Sequence, residues 1–243
     1  MMRDKVSTYM ILFGSVAALG VLFLVFLVLQ PSPGSSTTTV RESPLQETSE
    51  QLVIAEENRE TIVISVQDLP VLRNYLDGQE DRLTEIERMH YVILDSSRLE
   101  KYVLIQYGCG NKQCSTLLVK IYGSNLSSIS LADGIYQDYR ISPDQSKALL
   151  RYGYHESAEV IRHTVIVLNL DSMESIPFHT DAATNEYRDT PTWPIEDMDW
   201  IDDDKFTLEI ADIDLSTFEA LQEWNSTVDR KTKKLEISLR AME

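Results

Sequence analysis

Four groups of residues in this chain have types and spacings that could do chemistry. Cys109 and Cys114 are the only cysteines in 243 residues, and they sit in "YGCGNKQCST". A structural zinc site needs four ligands, usually two such pairs, and no second pair matches this one. A thioredoxin-type redox site needs C-x-x-C at a helix start, whereas four residues intervene here and both flanks read as strands. "HESAEVIRH" (His155 to His163) imitates a zinc-protease H-E-x-x-H, but Glu159 stands where the second histidine belongs. "EDMDWIDDDK" (Glu196 to Lys205) is dense in carboxylates but lacks the central Gly and terminal Glu of a calcium loop. Alternation instead points Asp197 and Asp199 one way and Met198 and Trp200 the other, which makes one solvated strand face. Tyr152, Tyr154, Trp193 and Trp200 form a fourth group, a candidate aromatic binding surface.

Catalysis through paired carboxylates is a weak inference, because 39 acidic residues guarantee that some pair is close. The chain has no G-x-S-x-G, no glycine-rich phosphate loop and no Ser/His/Asp arrangement. Catalytic residues, cofactor and metal are therefore all expected to be none. A net charge of −17 repels nucleic-acid phosphates, so nucleic acid is excluded as a partner. Asn125-Leu-Ser and Asn225-Ser-Thr are glycosylation acceptors where the host glycosylates.

The elements that must position these groups start with the N-terminal stretch. Met10 to Leu29 is almost purely apolar, and no charged residue occurs between Lys5 and Arg41. At ~1.5 Å per residue the run matches a hydrocarbon core of ~30 Å. It is too long for a cleaved signal peptide and lacks a small-residue cleavage site, so it is expected to be a single-pass signal anchor. Arg3 and Lys5 then place residues 1–9 in the cytoplasm and the rest outside. Gly14 and Ala18 could let two such helices approach closely. Residues 30–56, rich in Pro, Ser and Thr, are expected to be a flexible tether. Residues 57–243 are expected to form an extracytoplasmic domain.

That domain reads as mainly β: an antiparallel sheet with one or two short helices. Strands are expected near 89–95, 101–109, 114–122, 135–141, 146–153, 163–169, 196–201, 205–211 and 233–240. Asp68 is the expected N-cap of a helix in "DLPVLRNYLDG", and "EDRLTEIERM" has a slight helical bias. Ser216 and Glu219 have capping-box spacing before Leu221 and Trp224. Pairing the two cysteine-flanking strands so that Cys109 faces Cys114 sets Tyr107 against Thr116, Ile105 against Leu118 and Leu104 against Val119. Facing cysteines in an oxidising compartment predict a disulfide across the hairpin end, worth ~2 kcal/mol for so small a ring.

"YQDYRISPDQSKALLRYGY", "RHTVIVLNLDSMESIPF" and "MDWIDDDKFTLEIAD" resemble blades of a β-propeller of the TolB or dipeptidyl-peptidase-IV-like kind. The resemblance covers about residues 135–211 and implies a strand–turn–strand repeat. The resemblance extends to the blade-like strand pattern and to no hydrolase domain, so no activity is carried over. The exterior has length for three or four blades at most, which predicts a partial propeller or a twisted antiparallel sheet. The expected function is a membrane-anchored extracytoplasmic domain for binding or assembly, with a protein or glycan partner. The alternative is an anchored hydrolase or carbohydrate-active enzyme using acidic residues.

Overall fold

The computed structural model describes residues 50–55, 60–178 and 185–239. The expected anchor at Met10–Leu29 lies outside them. No helix among the described residues is long and apolar enough to cross a membrane.

The described chain is mainly β, in antiparallel sheets with short helices. It begins with β1 (Gln51–Ile54) paired to β2 (Ile62–Ser65), followed by a 3-10 turn and α1 (Pro70–Asp77) and α2 (Arg82–Glu87). Of the stretch expected to be a tether, 30–56, only residues 50–55 are described, and β1 lies among them. Leu52 and Ile54 alternate with exposed neighbours and bury one face, while Arg82 holds Glu50 through two bonds of 2.7 and 2.6 Å. α1 starts at Pro70 behind Leu69, which gives no side-chain cap, so the expected Asp68 cap is not used. Pro at the first helical positions makes the cap less necessary, because it has no N–H to satisfy.

Three meander sheets follow. Sheet I runs β3 (His90–Leu94), β4 (Lys101–Tyr107), β5 (Ser115–Tyr122) and β6 (Asn125–Ser130), each paired with the next. Sheet II runs β7 (Ile135–Ile141), β8 (Lys147–His155), β9 (Ile161–Asn169) and β10 (Glu174–Ile176) in the same manner. Sheet III has β11 (Ile195–Asp202), β12 (Lys205–Ala211) and β13 (Thr232–Ser238). α3 (Asn185–Arg188) precedes β11, and α4 (Phe218–Ser226) lies between β12 and β13. Thr217, not Ser216, caps α4 by accepting from the Ala220 N–H, and Leu221 and Trp224 are buried as expected.

Alternation explains the layering. Val103 and Ile105 of β4 pack toward β1, β2 and α1, while Tyr102 and Leu104 pack toward sheet II. Ala148 and Leu150 of β8 face sheet I, and Leu149 faces sheet III with Phe206 and Leu208. The central strands are buried on both faces, which is why their sequences are continuous apolar runs. The stack ends where sheet III turns Asp197, Asp199 and Glu236 to solvent.

Turn chemistry fixes the ends of the strands. Between β7 and β8, Asp144 accepts from the Ser142 hydroxyl (2.6 Å) and from the Ser146 N–H and hydroxyl (2.9 and 2.7 Å). Burial opposes its charge, but these bonds and Lys147 outweigh it and hold the carboxyl down at about 2. The Asp144 N–H donates to Asp203 (2.9 Å), which ties this turn to the β11–β12 turn.

The hairpin between β4 and β5 is closed by the expected Cys109–Cys114 disulfide, with Cα atoms 4.1 Å apart. Its register differs by one residue from expectation. The ladder sets Tyr107 against Ser115, Ile105 against Leu117 and Leu104 against Leu118. This register puts Leu104 and Leu118 in the same core, and Ile105 and Leu117 together in the other. A one-residue slip would break both matches. Gly108, at φ 59, turns the chain out of the ladder, and Gly110 N–H bonds the Gln113 carbonyl (2.9 Å). The cysteines therefore join diagonally beyond the last ladder pair. Replacing both with serine should lower stability by ~2 kcal/mol and the thermal midpoint by about 5 °C. An unchanged melting curve on reduction would show that the clasp adds nothing.

Candidate functional site

The space between sheets I and II opens along their outer strands. β6 is the last strand of sheet I and β10 the last of sheet II. Between them lies a groove of about 700 Å³, walled by Ile129 and Leu131 on one side and Ile166, Leu168, Met173 and Pro177 on the other. A second hollow of about 420 Å³ shares Ile129 and Met173 and extends along β6 to Tyr122 and Asn125. Concavities of ~300–1,000 Å³ are the usual size for ligand sites.

Local chemistry builds each wall. Gly123, at φ 61, makes the two-residue turn that folds β6 back on β5. Glycine suits this position because it accepts positive φ without a Cβ clash. On the facing wall, Asn169 accepts from the N–H groups of Asp171 and Ser172 (2.8 and 3.0 Å) and shapes the turn that presents Met173. Lys120 and the Tyr102 hydroxyl both donate to the Leu170 carbonyl (3.2 and 3.0 Å), docking that turn on sheet I. The groove is thus held rigidly by both sheets. Lys120 stands at one end and Arg188 at the other.

The inner part of the same intersheet space is polar. Gln106 and Thr116 pair across β4 and β5, and Tyr152 and Thr164 pair across β8 and β9. All four belong to the strand faces that sheets I and II turn toward each other. Each is buried, and Gln106 Nε2, Thr116 Oγ1, Tyr152 Oη and Thr164 Oγ1 find no hydrogen-bond partner among the described residues. The Tyr152 and Thr116 hydroxyls approach one another without forming a well-aligned bond, and burial raises the Tyr152 phenol strongly. An unmatched buried polar group costs ~1–3 kcal/mol. Thr164→Val and Tyr152→Phe should therefore leave stability unchanged or raise it, by up to ~1 kcal/mol each. Urea midpoints that fall by a similar amount would show that these hydroxyls are satisfied in solution.

The aromatic surface expected from Tyr152, Tyr154, Trp193 and Trp200 is not one surface. Tyr152 and Tyr154 lie on the sheet I side of sheet II, and Trp193 and Trp200 lie in the core on its other side. Tyr152 is 0% exposed. The indoles of Trp193 and Trp200 donate inward, to Glu186 (2.7 Å) and to the Arg140 carbonyl (3.1 Å). Tyr152 is a core residue, while Tyr154, Trp193 and Trp200 are partly buried against the two cores.

In the "HESAEVIRH" stretch His155 ends β8, residues 156–160 make the hairpin connection, and residues 161–163 open β9. His163 is buried there, and its Nδ1 accepts from the Ile195 N–H (2.9 Å). Among the described residues no three His, Cys, Asp or Glu side chains are grouped to hold a metal. Met198 is buried between exposed Asp197 and Asp199, as alternation predicts. The groove itself was not foreseen. Its signal in the sequence is "GSNLSSIS", a glycine turn followed by an uncharged stretch with apolar residues at Leu126 and Ile129.

No family model, curated protein or solved structure matches the chain.

Proposed function

We propose that this chain is a single-pass, membrane-anchored protein whose extracytoplasmic β-rich domain binds a partner protein in the groove between sheets I and II. One observation carries the binding part of this reading. The groove sets apolar residues, Ile129, Leu131, Ile166 and Met173, beside polar and charged ones that include Ser128, Ser175, Asp171 and Arg188, and is open along the length of an outer strand. Such a lining suits recognition, since apolar walls supply area and a few polar groups fix orientation. The anchor and outside location rest on the apolar run at Met10–Leu29 and its flanking Arg3 and Lys5. The clasped hairpin at Cys109–Cys114 favours an oxidising compartment. Three successive antiparallel meanders packed face to face support a partial propeller-like arrangement of the domain.

The test uses the full-length protein in intact cells. A photocrosslinking residue is placed at Ala132 or Ser175, which are exposed beside the groove, and at Glu236 on the solvated face of sheet III. The expected result is a partner adduct from the groove positions and none from Glu236. Equal adducts from both faces would sink the binding assignment. Protease added to whole cells should cut within residues 60–239. Cutting only after lysis would overturn the outside location.

A further inference from the structure

We infer that β6 is a docking edge, and that its occupant is an extended, neutral-to-basic segment of another polypeptide, added as a fifth strand of sheet I. The inference rests on the proposed binding function and names its partner chemistry. β6 ends its sheet, and none of its backbone groups bonds outside the β5–β6 ladder among the described residues. An unpaired edge presents a row of N–H and C=O groups that only another backbone matches throughout.

Most long free edges of the other sheets carry charges that resist pairing. β7 has Asp138 and Arg140, β11 has Glu196, Asp197, Asp199 and Asp202, and β13 has Lys233, Lys234 and Glu236. β6 reads Asn-Leu-Ser-Ser-Ile-Ser, with no charge and no proline. Its distinguishing feature is the groove that follows it. Ile129 faces sheet II, so a strand laid beside β6 at the usual ~4.8 Å spacing covers the groove mouth. Every second side chain of that strand would enter between Ile129 and Met173, and the others would face away. Six residues of partner span ~20 Å, about the length of the edge.

Charge selects the occupant. The chain carries −17, so a second copy brings −17 against −17, whereas a basic segment is drawn in. The neutral edge imposes no local penalty on the strand core. At the groove ends Lys120 is held by the Leu170 and Asp171 carbonyls and Arg188 by Asp189, so basic residues at the flanks of the docked segment meet no unpaired cation among the described residues.

The experiment selects random 12-residue peptides displayed on phage against the full-length protein in nanodiscs. Enriched peptides should alternate apolar residues between basic flanks. The leading peptide should slow amide hydrogen exchange within Asn125–Ser130 about tenfold or more. N-methylating its alternate residues on the pairing side should weaken binding about tenfold or more, because backbone bonds are lost. Ser127→Arg should do likewise by charge and bulk, and an unaltered melting curve will show that the variant is folded. Any of three results overturns the inference: no enrichment, enriched peptides that protect other amides, or N-methylated peptides that bind equally well. Protection of the same amides by self-association alone would make a second copy the occupant and also overturn it. Groove crosslinks in cells without edge protection would leave the binding function standing and remove only strand addition.

Discussion

Phe206→Ala should lose ~3–5 kcal/mol of stability, the range for deleting a buried aromatic ring. Phe206 is 0% exposed. Its ring meets Phe178 edge-on at 5.4 Å and Trp200 at 5.7 Å. Such pairs add ~0.5–1.5 kcal/mol beyond the area they bury, so the loss should fall in the upper half of that range. Domains of this size hold only ~5–15 kcal/mol in total, so the variant should melt near the temperature of use. Val228→Ala is the control: Val228 is 96% exposed, and its truncation should change stability by less than ~0.5 kcal/mol. The effect of Phe206→Ala should reach the groove. β8 contributes Leu149 to the core around Phe206, and Ala148 and Leu150 to the core behind the groove. A strand shared by two cores couples them, so one unfolding transition is expected by circular dichroism and by tryptophan fluorescence. Two separate midpoints would show that sheet III unfolds alone.

The same sharing explains what could be seen in the sequence. Strands buried on two faces, such as β4, β5, β8 and β9, are long apolar runs, and their positions were evident. β6 and β10 are edge strands with one neighbour each. Neither has a fully buried residue; they keep Ser, Asn and Glu, and give almost no hydrophobic period. β1 went unseen for a related reason: four residues, Gln51–Ile54, lie among acidic and polar neighbours. The disulfide was legible because two strands and two cysteines leave one sensible closure. Its register was not, because which glycine turns the chain decides a one-residue slip. The groove was hidden because one wall comes from edge strand β6, where the sequence signal is weakest, and the other joins inner-strand residues Ile166 and Leu168 to a turn, a juxtaposition that only the stacking of the sheets creates. The division of the four aromatics between two cores was not legible, because the faces of separate segments cannot be compared until the sheets are stacked.

Acid should destabilise the domain through one histidine. His163 is 9% exposed and its pKa is pushed down to about 3, by burial first and then by the nearby charges of Arg151 and His155. Its Nδ1 accepts from the Ile195 N–H, so the folded state holds the neutral ring. The sign follows from where the proton binds. In the unfolded chain the imidazole takes a proton below ~6.5, whereas the folded chain resists until about 3. The unfolded state therefore binds more protons in this window, and stability is lost as pH falls from ~6.5 toward 3. By pH 4 the loss from this residue is on the order of 3 kcal/mol. The consequence is local as well as global. His163 lies beside Trp193 in a backbone bridge and holds the start of β11 through Ile195, so protonation attacks the seam between sheets II and III. Carboxylates titrate in the same range, so the comparison must be with a variant. His163→Asn keeps an acceptor for the Ile195 N–H but cannot be protonated. Urea midpoints of the two proteins should converge or cross as pH drops from 7 to 4, with the wild type falling more steeply. Parallel curves would mean that His163 is not the residue through which acid acts.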